Sequence, residues 1–407
     1  MVVRPLMASY KAHFVNSKDP TDLSFQPHLT RYPVAELEFP NSGATERYIL
    51  LSPKDPDHYD PIKDLFRTLY VILDTYLTRE QRAVFGTLPD DPAAPDGSTN
   101  HLATLRRAYM QKNGPLFQST MLQINALIRT FKYPPLPDDL FSPPPENAFK
   151  AAVRGWNPTG LPRALALRIM EETYQRVVGP HTNELKRYTA FSSQTYGELT
   201  PALVAKLIAQ TRLGPGSLFL DLGSGVGNVA IQAALQAGSS AFGVEMMPGP
   251  ADLAREQRRQ MAIRTRMWGI NMGDVELEQG DMLNSARVTE LMGKADVVLV
   301  NNKVFKESLN EAIRPKFLDL KEGAIVVSLQ PFVASLNARL TERNLDDLSA
   351  IFDVSEHTYQ PMDVSWSAVA GSYYVHRVDR EGYAAIRAQF ERGQQRAGSA
   401  RGTRARR

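Results

Sequence analysis

The stretch Leu218-Phe-Leu-Asp221-Leu-Gly223-Ser-Gly225-Val-Gly227-Asn228 decides the fold of this chain. Its first half, Leu218–Leu222, is a short apolar run of the kind found in buried parallel strands. Three glycines then alternate with other small residues, and a helical pattern opens at Asn228. Glycines allow a sharp turn and let a ligand approach the backbone, because no Cβ intervenes. The stretch therefore predicts a strand, a ligand-binding turn and a helix.

A second strand, Phe242-Gly-Val244-Glu245, is predicted to end in a carboxylate. An acid at that position accepts hydrogen bonds from both hydroxyls of a ribose, as in dinucleotide folds. The glycine spacing is G-x-G-x-G, however, and Asp221 precedes the first glycine, where it would repel a pyrophosphate. These features favour a ligand with an ammonium group and no phosphate, which describes S-adenosylmethionine better than NAD. The alternative is a glycine-rich turn without a ligand, because such motifs alone are weak evidence.

Composition sets the outer limits. A chain of 407 residues is long for one core and is expected to form two domains. The absence of cysteine excludes disulfides and cysteine-ligated zinc, and it is consistent with a reducing compartment. We expect neither a secretory signal in Met1–Tyr10 nor a membrane span, since no apolar run is long enough for either.

Four regions are predicted along the chain. Residues 1–56 are expected to be irregular, and residues 57–190 to be mostly helical, with proline-rich linkers. Residues 191–391 alternate strand and helix patterns, which predicts a doubly wound sheet with right-handed crossovers. Residues 392–407 hold six arginines and no acid, so we expect a disordered basic tail that either binds phosphate or is only solvated.

Polar residues follow four successive predicted strands of the alternating region. They are Asp221, Glu245, Asp281 and Asn301. Ligands of doubly wound sheets bind beyond the carboxyl ends of the strands. Any one of these residues could be a helix cap or a solvated side chain. Four at successive strand ends predict a binding site.

Several motifs occur in one order and together carry a family resemblance. They are Asp221-Leu-Gly-Ser-Gly-Val-Gly227, Phe191-Ser192 with Tyr196-Gly-Glu198, Val300-Asn301-Asn302, Ser328-x-x-Pro331-Phe332, and Val364-Ser-Trp366 with Ser372-Tyr373-Tyr374. From about Tyr174 to Phe390 the sequence resembles the disruptor of telomeric silencing (Dot-one) family of non-SET histone lysine methyltransferases. The resemblance implies an α/β fold, a Rossmann-like class I S-adenosylmethionine-dependent methyltransferase sheet. It also implies transfer of methyl to lysine 79 of histone H3 in nucleosomes.

The resemblance further assigns site residues, partners and location. It implies S-adenosylmethionine as the cofactor and no metal. It also implies a nuclear protein without membrane association, which binds nucleosomal DNA through the basic tail and affects chromatin silencing and the DNA damage response. In methyl transfer the substrate lysine must attack as a neutral amine. An apolar aromatic channel favours the neutral form, because it removes the water that would stabilise the charged one. The implied catalytic residues are Asn301, Tyr373, Trp366 and Phe305. The implied cofactor-binding residues are Tyr196, Glu198, Asp221, Gly223, Gly225, Gly227, Asn228, Glu245, Asp281 and Met282.

This chain departs from the family pattern at a few positions. Lys303 replaces an aromatic residue after the two asparagines, and Gln330 replaces a lysine before Pro-Phe. Met282 replaces an aromatic residue, and Leu199 replaces a threonine. A cation beside a lysine channel would repel the substrate unless it faces solvent or DNA. Two alternatives therefore stay open: a class I methyltransferase acting on RNA or a small molecule, and a non-catalytic cofactor-binding chromatin module.

Overall fold

The computed structural model of the protein describes residues 4–86, 100–139, 141–143, 145–156, 160–182, 185, 197–333, 351–384, 387–388 and 392. The chain divides into two compact units. The first comprises Met1–Pro180 and Arg259–Asn271, and the second comprises His181–Arg258 and Met272–Arg407. This division differs from the predicted one, because residues 1–56 belong to the first unit and a later segment returns to it.

Helices make up most of the described part of the first unit. They are α1 (Pro61–Tyr76), α2 (Arg79–Ala83), α3 (His101–Met110), α4 (Gly114–Lys132), α5 (Ala148–Trp156) and α6 (Arg163–Val177). Four strands precede them: β1 (Tyr10–Ala12), β2 (Val34–Glu38), β3 (Thr45–Ile49) and β4 (Leu51–Pro53). β1 pairs with β4 and β2 pairs with β3, both antiparallel. The interpretation of residues 1–56 as irregular, with an extended piece around Tyr48–Leu51, agrees with strand structure at β3 and β4 and missed β1 and β2, in which charged residues interrupt the apolar pattern.

A network of ion pairs lies inside the first unit and is centred on Glu172, which is fully buried. Its carboxylate accepts from Arg168 Nε at 3.2 Å, from Arg264 Nε at 2.8 Å and from the indole N–H of Trp268 at 3.1 Å. Burial by itself would raise the pKa of Glu172, but the guanidinium groups of Arg264 and Arg168 lower it to about 2. Arg264 comes from a helix whose sequence is basic, yet it is buried.

The second unit contains a seven-stranded sheet. Its strands are β5 (Leu218–Leu222), β6 (Ser240–Glu245), β7 (Val275–Gln279), β8 (Val297–Val300), β9 (Ile325–Ser328), β10 (Phe352–Tyr359) and β11 (Gly371–Val378). Its helices are α7 (Pro201–Thr211), α8 (Asn228–Ala237), α9 (Pro248–Trp268, of which residues 259–268 belong to the first unit), α10 (Ala286–Met292) and α11 (Glu307–Ile313). All residues of β8 and β9 are buried, as expected for central parallel strands.

The order of the strands across the sheet is β10-β11-β9-β8-β5-β6-β7. The strands β5 to β9 are parallel, whereas β11 runs antiparallel to both of its neighbours. The chain moves outward from β5 through β6 to β7 and then returns to β8 on the other side of β5. Such a reversal is where doubly wound sheets bind ligands. The order confirms the predicted Rossmann-like α/β fold.

Two further observations concern the described residues alone. None of their helices has the length and apolar character needed to cross a bilayer. Nor do they contain a group of three or more histidine, aspartate or glutamate side chains arranged to hold a metal ion.

The buried network predicts a large stability difference between two adjacent glutamates. Replacement Glu172→Ala leaves buried guanidinium groups without their carboxylate, so it should reduce the free energy of unfolding by about 3–5 kcal/mol. Glu171 is the neighbouring comparison: its side chain is 40% exposed, and it pairs at 2.6 Å with the exposed Arg67 and at 3.0 Å with the buried Arg168, which keeps Asp64 and Glu172 as partners. Glu171→Ala should therefore cost clearly less than Glu172→Ala. Urea unfolding followed by circular dichroism measures both, and equal losses would contradict the central position of Glu172.

Candidate active site

A cavity of about 320 Å³ lies beyond the carboxyl ends of β5, β6, β7 and β8. Its volume is within the range of small-molecule sites, roughly 300–1,000 Å³. Most of the site residues expected from the sequence line it together. These are Glu198, Asp221, Gly223, Gly225, Asn228, Glu245, Asp281, Met282, Asn301, Phe305 and Trp366.

The Glu245 carboxylate is fixed by the backbone on both sides. One oxygen accepts the N–H of Gly225 at 2.9 Å, and the other accepts the N–H of Met247 at 2.8 Å. Each carboxylate oxygen has a further lone pair available to a ligand. The side chain therefore presents two ordered acceptors to the cavity.

The three glycines after β5 all have positive φ: 92° at Gly223, 54° at Gly225 and 81° at Gly227. This backbone region strongly favours glycine. Gly227 is not among the residues that line the cavity, in contrast to the expectation. A Cβ at Gly227 would lie 2.9 Å from Cδ1 of Leu277, so the lack of a side chain there allows helix and strand to pack closely.

Two acids in the cavity differ in how they are held. Asp221 is buried, and burial, together with the nearby Glu245 carboxylate, raises its pKa to about 7. Asp281 instead accepts the N–H of Leu283 at 2.9 Å and the side-chain amide of Asn284 at 2.6 Å, so it also stabilises the turn before α10. Asp221 is therefore the acid whose ionisation depends most on what enters the cavity.

A second wall is built from segments that are distant in sequence. The side-chain amide of Asn301 donates to the Gly197 carbonyl at 3.0 Å. The Glu198 N–H donates to the Ser365 hydroxyl at 2.8 Å, and the Ser365 N–H donates to the Glu198 carbonyl at 2.9 Å. The Trp366 ring lies directly on Gly197, where a Cβ would come within 2.4 Å of the indole. These contacts place an amide, an acid and an indole on one side of the cavity.

Comparison with known proteins assigns the family. The model for "Histone methylation protein DOT1" matches residues 174–378, which include this cavity. The chain belongs to the DOT1 family. It is 33% identical to a "Histone-lysine N-methyltransferase, H3 lysine-79 specific" of Cryptococcus neoformans, over 92% of this chain and 65% of that protein. A protein of the same name from Aspergillus fumigatus is 32% identical, over 83% of this chain and 63% of its own length. The chain thus spans slightly less than two thirds of these relatives.

Among solved structures, the chain is similar to an RNA methyltransferase from Salinibacter ruber in complex with S-adenosyl-L-homocysteine. The TM-score is 0.30 at 19% identity, over 45% of this chain and 94% of that one. The fold assignment of this DOT1-family chain rests on its own strand order.

Besides Gly227, one described residue implied by the family pattern, Tyr373, is not among those that line the cavity. Tyr373 is buried: its ring stacks on His357 with centroids 5.4 Å apart, and its hydroxyl donates to Gln210 at 2.6 Å. These contacts are with β10 and α7, and the role of Tyr373 in a lysine channel stays a prediction. Tyr196 lies outside the described residues.

Sequence reasoning missed two buried residues, Gln257 and Asn302, that support the site of this DOT1-family chain through hydrogen bonds. Gln257 is buried and donates to the Val226 carbonyl at 2.6 Å and to the Asn228 side chain at 3.0 Å. Asn302, also buried, accepts the N–H groups of Leu329 and Gln330 at 2.9 and 2.8 Å. Only the Asn-Asn pair gave a signal in the sequence; nothing marked Gln257.

The raised pKa of Asp221 predicts that a cationic ligand binds better at higher pH. Below about pH 7 the carboxyl is largely protonated, so binding of an ammonium group must first release that proton. Affinity for S-adenosylhomocysteine should rise by up to about tenfold between pH 6 and pH 8. Calorimetry in buffers of different ionisation enthalpy should detect the released proton near pH 7. In Asp221→Asn the affinity should be lower and independent of pH over this range; an unchanged pH dependence would assign the proton to another group.

Proposed function

We propose that this chain transfers a methyl group from S-adenosylmethionine to lysine 79 of histone H3 in nucleosomes. The DOT1 family match and the names of the relatives support the substrate. One structural observation supports the reaction type. The cavity is lined both by the proposed amine-binding residues, Asn301, Phe305 and Trp366, and by the proposed cofactor-binding residues Glu245 and Asp221. A bound amine and a bound cofactor would therefore share one cavity.

The residues present fit S-adenosylmethionine. Glu245 offers two fixed acceptors to the ribose hydroxyls, and Asp281 with Met282 suits the adenine. Asp221 and Glu198 suit the cationic methionine end. Around the cavity four carboxyl groups accompany one lysine, Lys303. A predominantly acidic lining favours a cationic ligand and disfavours a phosphate.

When bound, S-adenosylmethionine supplies an electrophilic methyl group on a positively charged sulfur. The chain's own contribution is to position and desolvate the substrate amine. Asn301 uses its NH₂ group on the Gly197 carbonyl, which leaves the side-chain oxygen available to orient an amine. The apolar surfaces of Phe305 and Trp366 disfavour an ammonium group and so favour the neutral nucleophile. Holding amine and methyl in line is the main source of rate acceleration in such a displacement.

The substrate lies on a folded particle, so docking requires contacts outside the cavity. We propose that the basic tail, residues 392–407, supplies some of them by binding DNA phosphates. Arg392 donates to the Ala388 carbonyl at 3.0 Å. The other tail arginines, Arg396, Arg401, Arg404, Arg406 and Arg407, lie outside the described residues. A chromatin substrate would place the protein in the nucleus, with effects on silencing and on the DNA damage response.

The direct test is incubation of the full chain with methyl-labelled S-adenosylmethionine and one of three substrates: reconstituted nucleosomes, free histone H3 or tRNA. We expect label on lysine 79 of histone H3, with nucleosomes far better than free H3. Mass spectrometry of the labelled product identifies the residue. Label on tRNA, or on a different histone lysine, would overturn the proposed substrate.

The Asn301→Ala variant should separate binding from turnover. Loss of its amide removes the orientation of the amine and one bond to Gly197, so we expect kcat to fall at least about tenfold. Affinity for S-adenosylhomocysteine should weaken but stay measurable. Glu245→Gln is the contrasting variant, in which cofactor affinity itself should be lost. If Asn301→Ala keeps kcat within about threefold of the wild type, another residue orients the amine.

The tail prediction concerns salt. Replacing the six tail arginines by glutamine should raise the nucleosome Kd and flatten the slope of log K against log salt, by up to about 0.9 per lost phosphate contact. Replacement by lysine is the matched control, since it retains charge and should retain the slope. Cofactor affinity should not change in either variant. An unchanged slope in the glutamine variant would show that the tail is only solvated.

A further inference from the structure

Lys303 lines the cavity, is exposed to solvent and lies on a backbone segment held by hydrogen bonds. It follows Asn302, whose side-chain NH₂ donates to the Gln330 carbonyl at 3.1 Å and to Asn310 Oδ1 at 3.2 Å. With its two accepted N–H groups, this amide uses its full hydrogen-bonding capacity. The Gln330 side chain also donates to the Lys303 carbonyl at 3.3 Å. The end of β9 and α11 therefore hold the backbone that carries Lys303, and the residue lines the cavity together with Asn301 and Phe305.

The charged groups around Lys303 come from several elements. Acids on the same cavity are Glu198, Asp221, Glu245 and Asp281. Glu245 and Asp281 are engaged by the backbone N–H groups described above. Along the same loop the charged residues are Lys306 and Glu307, both exposed and neither lining the cavity.

The element packed against Lys303, the end of β9, contributes the neutral Gln330. The loop that carries Trp366 contributes Asp363, which accepts the Gln360 N–H at 2.8 Å. Among the described residues Lys303 takes part in no ion pair. Because Lys303 is exposed and lines the cavity, its charge lies where the cavity meets solvent, and no carboxylate among the described residues pairs with it.

We propose that Lys303 promotes loss of the proton from the ammonium group of the substrate lysine. It does so on the side of the cavity lined by Asn301 and Phe305, where that group enters. This inference rests on the proposed methyl transfer to a lysine. Like charges disfavour each other, so a fixed cation near the substrate nitrogen favours its neutral form. The proton passes to solvent water. The nitrogen lone pair then forms the new N–C bond while the S–C bond breaks and its electron pair stays on sulfur, and the positive charge moves from sulfur to the methylated nitrogen.

The same geometry accounts for the neutral residue at position 330. A lysine there would place a second cation beside Lys303, because the two residues are in hydrogen-bond contact. Two adjacent cations would oppose entry of any charged substrate. Gln330 instead donates to the Lys303 carbonyl and adds no charge. Among the described residues that line the cavity, Lys303 is therefore the one lysine.

The test compares Lys303→Met with Lys303→Arg and Lys306→Met in the full chain. Methionine retains length without charge, arginine retains the charge, and Lys306 is a control on the same loop whose side chain does not cap α11. We measure kcat at saturating nucleosome between pH 6.5 and 10, because kcat reports ionisations in the enzyme–substrate complex. The rising limb of Lys303→Met should move to higher pH, with kcat about three- to tenfold lower at pH 7.5 and equal to wild type at high pH. Lys303→Arg and Lys306→Met should follow the wild-type profile.

A second substrate separates this role from a structural one. In nucleosomes with thialysine at position 79 of histone H3, the target amine is more acidic, so the rising limb of kcat should move to lower pH in the wild type and in Lys303→Met alike. A loss of kcat by the same factor at every pH, or a rising limb that does not move with thialysine, would overturn the proposal. Absence of any wild-type methylation would instead refute the proposed function, so the two failures are distinguishable.

Discussion

The Glu245 carboxylate is the group on which the arrangement of the site depends. Its two oxygens accept backbone N–H groups from Gly225, in the loop after β5, and from Met247, just before α9. One side chain thus fixes two backbone segments that both line the cavity. Hydrogen bonds to a charged acceptor are stronger than those between neutral groups, and a carboxylate that is already ordered loses little entropy when a ligand binds. The positive φ angles of the three glycines are needed because the chain must turn at once after a buried strand to reach this acceptor.

The other wall depends on pairing between segments more than 160 residues apart in sequence. Ser365 and Glu198 exchange hydrogen bonds, Trp366 covers Gly197, and Asn301 donates to the Gly197 carbonyl. Three motifs that the sequence shows only as separate short patterns therefore form one assembly. If any of these segments moved, Glu198 and the indole of Trp366 would move together. The proposed cofactor side of the cavity is thereby linked to the proposed amine side, with no change in the sheet.

The sequence predicted the sheet and much of the site because parallel strands end at a common edge, so polar residues at strand ends must converge. It failed where the environment of a side chain is set by distant residues. Arg264 lies in a basic helix yet is buried against Glu172, and Tyr373 has a family motif around it yet packs toward Gln210. The early strands carry too many charges for their pattern to be recognised.

The two main departures from the family pattern, Lys303 and Gln330, are 27 positions apart but in contact. Considered separately, a lysine in place of an aromatic residue suggested a site that had lost catalysis and kept only cofactor binding. In the structure, the loop that carries Lys303 is held by an Asn302 amide whose hydrogen-bonding capacity is fully used. Asn301, Phe305 and Trp366 line the cavity beside it. The two departures therefore share one local environment, in which Lys303 is the one lysine of the described cavity lining and the side chain in contact with its backbone is neutral.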